Sequence, residues 1–242
     1  MGRVFIVGAG PGDPELITLK GLRLIETADA IVYDRLVPQA LLSRARPQAL
    51  LLYVGKRPGG QGPSQREINE TLYNLALKYD VVVRLHGGDP LVFGRGFEEC
   101  EYLASRGIRC EFVPGVTSGL AAPAKHYIPP VARGTASSVA LVTGREDPSK
   151  GRRQVDFKRL AAAVDTIVIY MGAASAREIA AELMEGGLPP DTPVAVIESA
   201  FFEDERFRAT TLGGLDAVRN PAVIVVGRTV ERGLRLREAL CR

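Results

Sequence analysis

Val4-Phe5-Ile6-Val7-Gly8-Ala9-Gly10-Pro11-Gly12-Asp13-Pro14 is the stretch that decides how the chain is read. Four consecutive apolar residues, all of them aromatic or β-branched, read as a buried strand, and the Gly-rich run after them as a tight turn at its carboxyl end. A strand that opens into such a turn and then into a helix, expected over Leu16–Ala28, is the first step of an α/β unit. One reading is a dinucleotide-binding loop, with Asp34 at the end of the next strand gripping a ribose. The letters resist it. The last Gly of a GxGxxG pattern would fall on Asp13, and Pro11 and Pro14 remove backbone N–H groups where a pyrophosphate would need them. A turn that is Gly-rich, stiffened by proline and acidic suits a neutral or cationic ligand, and S-adenosylmethionine is one.

Working outward, aliphatic and β-branched segments alternate with amphipathic ones, the mark of α/β layering. Ala30–Tyr33, Leu51–Val54, Val81–Leu85 and Glu111–Val113 read as further strands, and Gly96–Ser105 as a helix. Ser64 with Glu67 has the spacing of a capping box, so a helix is expected from there to Tyr79. After Pro114-Gly115 the rhythm restarts. Ser118–Lys125, Asp156–Ala163 and Ala176–Glu185 read as helices, and Ser138–Val142, Thr166–Tyr170, Pro193–Glu198, Arg206–Thr211 and Ala222–Val226 as strands. The period-two alternation Phe207-Arg208-Ala209-Thr210 suggests half of a hairpin. The expectation is two α/β domains, residues 1–114 and 115–242, the first sheet mostly parallel and the second mixed.

The chain has 242 residues, 46% hydrophobic and 24% charged, a globular balance with a net charge of +3. That charge is too mild to argue for nucleic acid, and no Trp supplies a stacking platform. No apolar run reaches the length of a membrane helix, and the amino terminus enters a strand at once, so neither a membrane span nor a signal peptide is expected. The protein is therefore expected to be cytoplasmic. Cys100, Cys110 and Cys241 form an odd set without a CxxC pair, and His86 and His126 are the two histidines. Neither a disulfide framework nor a metal site is expected. Arg supplies 25 of the 31 basic residues, which leaves many forked donors for carboxylates.

A second Gly-rich loop, Gly87-Gly88-Asp89-Pro90-Leu91-Val92-Phe93-Gly94-Arg95-Gly96, follows the predicted Val81–Leu85 strand. Alone it could be a tight turn. Two such loops at the carboxyl edge of one sheet point instead to a ligand.

The blocks VGAGPGDPELITLKG (Val7–Gly21), ADAIVYDRLV (Ala28–Val37), VGKR (Val54–Arg57), GGDPLVFGRG (Gly87–Gly96) and VPGVTSG (Val113–Gly119) resemble the tetrapyrrole methylase family. So do VTG (Val142–Gly144), YMG (Tyr170–Gly172) and PAVIVVGR (Pro221–Arg228), in order and over essentially the whole chain. YDRLV and GKR resemble the branch acting on uroporphyrinogen III. The resemblance implies methyl transfer from S-adenosylmethionine, with S-adenosylhomocysteine as by-product, to two ring carbons of that tetrapyrrole, giving precorrin-2 for sirohaem or cobalamin. It also implies a homodimer with a cofactor cleft between the two domains. The dehydrogenase and ferrochelatase domain that some relatives carry upstream has no room here, so that activity is expected to be absent.

Carried over by position, Pro11, Gly87, Gly88, Asp89, Val92, Thr117, Ser118, Met171 and Ala200 are the implied cofactor-binding residues. Asp34 and Lys56 are the implied acid–base pair. Asp89 also fits a local turn cap, Thr117-Ser118 a helix cap, and Met171 plain core. The macrocycle is a polycarboxylate, so Arg35, Arg57, Arg95, Arg133 and Arg145 are candidate clamps, though most surface arginines are simply solvated. His86, Val131-Ala132 and Arg145 depart from the family's usual letters and are expected to flank the tetrapyrrole. Other open readings are a methylase acting on a later corrin or a protein side chain, a dinucleotide-dependent reductase, and a silent binding module. The GxGxxG mismatch speaks against the reductase, and Asp34, Lys56 and Gly87-Gly88-Asp89 speak against the silent module.

Overall fold

The computed structural model of the chain describes residues 1–55, 62–146 and 154–240. These belong to two compact units, Met1–Thr117 and Ser118–Arg242. In the first, strands β1 (Arg3–Gly8), β2 (Ala30–Tyr33), β3 (Leu50–Tyr53), β4 (Val81–His86) and β5 (Arg109–Val113) form one sheet in the order β3-β2-β4-β1-β5. Every neighbouring pair is parallel. Helices α1 (Leu19–Thr27), α2 (Gln39–Leu42), α3 (Gln65–Ala76) and α4 (Gly96–Ala104) cover its two faces.

Alternate strand residues serve opposite faces and both faces are covered, which is why β1 is apolar without a break over Val4–Val7 and β4 over Val81–Val83. Phe5, Val7, Ile31, Val83 and Leu85 pack with Ile25 of α1 and Leu41 and Leu42 of α2. Val4, Ile6, Val32 and Val82 pack with Ile68, Leu72 and Leu75 of α3 and Leu103 of α4. Each such side chain, fully buried, contributes about 1.5–3 kcal/mol. The chain thus leaves β1 for a helix on one face and the adjacent β4 for a helix on the other. This is a topological switch point, where the two departing loops diverge and leave room for a ligand.

Helix boundaries follow their caps. Ser64 and Glu67 form the expected capping box. The helix ends at Ala76 rather than Tyr79, because Lys78 N–H turns back to Leu75 in a tightened last turn. Thr18 caps α1 by accepting the Gly21 N–H at 3.1 Å, so that helix starts at Leu19. Residues Pro14–Leu16 form a separate 3₁₀ turn capped by Asp13.

In the second unit β6 (Val139–Thr143), β7 (Thr166–Tyr170), β8 (Pro193–Glu198), β9 (Arg206–Thr211) and β10 (Ala222–Val226) are ordered β6-β7-β10-β8-β9. β6 and β7 are parallel, and the remaining pairs are antiparallel, including the β8–β9 hairpin that the period-two alternation suggested. With α5 (Ser118–Lys125), α6 (Phe157–Ala163), α7 (Ala176–Glu185) and α8 (Arg228–Leu240) they complete a mixed α/β unit. Its largest core cluster joins Phe157, Ile179 and Leu183 to Ile167, Ile169, Val194, Val196 and Ile224. No helix is long and apolar enough to cross a membrane among the described residues.

One expectation is corrected here. Cys100 on α4 and Cys110 on β5 are joined as a disulfide, with Cα atoms 5.7 Å apart. The two elements are consecutive in the chain and packed together, so residues that look scattered in sequence meet.

Candidate active site

At the switch point the loops after β1 and β4 hold each other through main chain alone. Gly10 N–H donates to Gly88 O at 3.2 Å, and Gly88 N–H donates to Gly10 O at 2.6 Å. Both residues have positive φ, 81° and 70°, a conformation that glycine adopts at no steric cost. The start of the segment after β5 closes the group: a Cβ on Gly115 would lie 2.3 Å from Gly88 O, and one on Gly8 2.6 Å from the same oxygen. Three strand ends therefore meet where side chains have been left out.

Around this junction the structure gathers most of the expected residues of the first unit. Pro11 is buried beside Gly10, while Gly87, Gly88, Asp89 and Val92 are half-buried. Asp89 acts as a local cap: Oδ1 accepts Leu91 N–H at 2.8 Å and Oδ2 accepts Gly115 N–H at 3.1 Å. It thereby ties the second loop to the segment leading to Thr117. Gly87 packs on Leu36, where a Cβ would come within 2.6 Å of the Leu36 Cβ. That contact brings the turn carrying Asp34 beside the Gly-rich loop. Asp34 accepts the Leu36 N–H at 3.1 Å and stands 3.6 Å from the Arg84 guanidinium. Lys56 and Arg57 lie outside the described residues.

Behind Asp34 lies a charged group that sequence reading missed. Val82, Arg84 and His86 alternate along β4 on the face covered by α3 and α4, so that face turns from apolar to charged as the strand approaches its carboxyl end. Glu99 of α4, fully buried, receives Arg84 Nε at 3.1 Å, His86 Nε2 at 2.8 Å and Gln65 Nε2 at 3.1 Å. Burial would raise its pKa, but the His86 hydrogen bond and the Arg84 charge outweigh it and hold Glu99 down to about 2. His86 is itself 5% exposed and engaged inside this group, which corrects the expectation that it flanks the substrate. A signal was present: an Arg and a His two apart in an otherwise apolar strand need partners.

In the second unit β6, β7 and β8 end at one edge of the sheet. Met171, directly after β7, is 43% exposed with φ 53°, so it is not core. Ala200, after β8, is buried between Ser199 and Phe201, whose φ values are 48° and 68°. Both strand ends thus carry non-glycine residues in left-handed backbone, which costs about 1–3 kcal/mol each and must be held by surrounding contacts. Glu205 holds the second of them, accepting Phe201 N–H at 2.5 Å, Lys125 Nζ at 2.7 Å and His126 Nε2 at 3.0 Å. Gly144 N–H donates to Tyr170 O at 2.7 Å, and the Tyr170 hydroxyl accepts Gly119 N–H at 3.0 Å, which anchors the first turn of α5 after Ser118. Of the candidate clamps, Arg35 and Arg145 are exposed, Arg95 pairs with Glu98, and Arg133 accepts Arg232 Nη1 on its backbone oxygen. No group of three or more His, Cys, Asp or Glu is placed to hold a metal among the described residues.

The fold and these loops are those of a methylase, and the chain belongs to the tetrapyrrole (corrin/porphyrin) methylases, whose family pattern matches residues 3–216. The relatives narrow the class. A uroporphyrinogen-III C-methyltransferase of Synechocystis sp. is 46% identical over 99% of this chain and 94% of its own. An S-adenosyl-L-methionine-dependent uroporphyrinogen III methyltransferase of Methanosarcina barkeri is 46% identical over 95% and 92%. Among solved structures, the uroporphyrin-III C-methyl transferase of Thermus thermophilus complexed with S-adenyl homocysteine superposes with a TM-score of 0.82. It is 41% identical and covers 96% of this chain and 100% of its own.

Proposed function

We propose that this chain transfers methyl groups from S-adenosylmethionine to two ring carbons of uroporphyrinogen III, giving precorrin-2, and that it works as a homodimer in the cytoplasm. The observation that carries the reading is the main-chain clasp Gly10–Gly88 at the switch point, with Asp34 beside it on the same sheet edge. The residues fit that cofactor. Pro11 and Pro14 offer no N–H to a diphosphate, and Asp13 is occupied as a cap on Glu15 N–H. Gly8 and Gly115 let the three loops close on one another through bare main chain, which fixes the rim on which a ligand would rest.

S-adenosylmethionine supplies an electrophilic methyl group on sulfur, and transfer breaks the carbon–sulfur bond as the new carbon–carbon bond forms. The chain's task is to align donor and acceptor and to take the proton that the macrocycle loses. Pro11, Gly87, Gly88, Asp89, Val92, Thr117, Ser118, Met171 and Ala200 are assigned to holding the cofactor. Asp34 is assigned the proton, with Lys56 as its partner. Arg35 and Arg145, exposed at strand ends, are the best-placed donors for the substrate's carboxylates. The dimer reading leans on the exposed Leu50, Leu51 and Tyr53 of edge strand β3.

The deciding experiment incubates the protein with anaerobic uroporphyrinogen III and S-adenosylmethionine and follows the macrocycle mass. Addition of two methyl groups supports the reading, and an unchanged mass refutes it. Light scattering that returned a particle of 26.0 kDa would refute the dimer.

A further inference from the structure

Glu99 is the most deeply buried ionised side chain of the first unit, and the proposed chemistry assigns it nothing. A buried carboxylate is costly unless every partner is in place. Here the partners are in place and they form a line. Gln65 on α3 donates to Asn69 at 2.9 Å and to Glu99. Glu99 bridges His86 and Arg84 on β4, and Arg84 also donates to Leu85 O at 3.0 Å. The remaining Arg84 nitrogen stands 3.6 Å from Asp34. Charges therefore alternate inward from the sheet edge: Asp34 negative, Arg84 positive, Glu99 negative.

We propose that Glu99 is a positioning residue for Asp34: it fixes the Arg84 guanidinium and shares its charge, so that Arg84 orients Asp34 without closing on it as a full ion pair. The geometry explains why one arginine meets two carboxylates. An arginine facing Asp34 alone would form a tight pair and lower the affinity of that carboxylate for a proton. With Nε bound to Glu99 and Nη1 to the Leu85 carbonyl, the guanidinium is held back at a distance longer than a hydrogen bond. The other groups facing Asp34 are the Leu36 N–H and the neighbouring Arg35, and Lys56 lies outside the described residues. Besides Arg84, the groups facing Glu99 are His86 from β4 and Gln65 from α3. Arg95 and Glu98, near it on α4, pair with each other at the surface.

This inference rests on Asp34 as the proton-transfer group, and the test separates the two. Single-turnover methylation is measured against pH for wild type, Asp34→Asn, Glu99→Gln and Gln65→Met. In Glu99→Gln the whole Arg84 charge bears on Asp34, so the acidic limb of the rate profile moves to lower pH by roughly one unit. The plateau rate falls about tenfold or more, while affinity for S-adenosylhomocysteine is unchanged. Gln65→Met removes a donor from Glu99, leaves more of its charge for Arg84, and moves the limb the opposite way. Opposite shifts from two neighbours are a signature that a merely structural role does not produce. An acidic limb that stays in place in both variants overturns the proposal. If Glu99→Gln does not fold, the direction of the Gln65→Met shift decides alone. Full turnover in Asp34→Asn would instead overturn the assignment of Asp34 itself.

Discussion

Replacing Asp34 with Asn removes one negative charge and almost nothing else. Asn keeps an oxygen for the Leu36 N–H, so the turn after β2 retains its cap. What is lost is the pair with Arg84 at 3.6 Å and the ability to accept a proton. Two unit charges at that distance interact by about 4–5 kcal/mol at an effective dielectric of 20. The Asp34 side chain is 27% exposed and Arg84 is already bound to Glu99, so the net cost to stability falls to about 1 kcal/mol. In a protein of this size that lowers Tm by about 2–4 °C. The effect on turnover is far larger. Loss of a general base removes about 10²–10⁴-fold, or roughly 3–5 kcal/mol of transition-state stabilisation. The assay is a pair, calorimetric titration with S-adenosylhomocysteine and single-turnover methylation, on wild type and variant. Turnover should collapse while cofactor affinity changes by less than about twofold. Unchanged turnover removes Asp34 from the mechanism, and a tenfold loss of affinity would return Asp34 to the role of a ribose ligand.

Met171→Gly relieves a left-handed backbone and should raise thermal stability by about 1 kcal/mol, while weakening S-adenosylhomocysteine binding in the same calorimeter. A loss of stability would mean that Met171 is packed rather than strained. Gly115→Ala drives a Cβ to 2.3 Å from Gly88 O and should cost about 1–3 kcal/mol in urea denaturation and abolish cofactor binding. Wild-type affinity in that variant would show that the junction of the three loops plays no part in the site. Glu99 carries a pKa lowered from 4.5 to about 2, so its contribution is complete above pH 4.5 and is lost as pH falls toward 2. Urea midpoints should drop across that window in wild type, and a Glu99→Gln variant that shows the same slope would refute the assignment.

Where one physical cause governs a segment, the sequence shows it directly. Val4–Val7, Thr166–Tyr170 and Pro193–Glu198 are continuous apolar runs because their sheets are covered on both faces, and each forms a strand. Ser64 and Glu67 show the start of α3 because a capping box is a local pair. The missed helix α8 is the opposite case. Arg228–Leu240 is dominated by charged residues, and only Thr229, Val230 and Gly233 are buried, a stripe too narrow to stand out from a polar background. Helix α2 spans only Gln39–Leu42, shorter than any periodic signal. Within the site, the Gly-rich loops are legible because they depend on backbone freedom, which glycine alone supplies. Glu99, Arg84 and Gln65 are not, since their meaning lies in contacts between β4, α3 and α4 that no local pattern encodes. Met171 was masked by its type: methionine reads as core until φ and exposure show otherwise.

The reciprocal bond between Gly10 and Gly88 involves no side chain, and that has an evolutionary consequence. Substitutions around it change neither the donor nor the acceptor, provided that they put no side chain where Gly8, Gly87 and Gly115 leave none. A fold built on such a latch can vary the side chains around the two loops without rebuilding the bond that joins them.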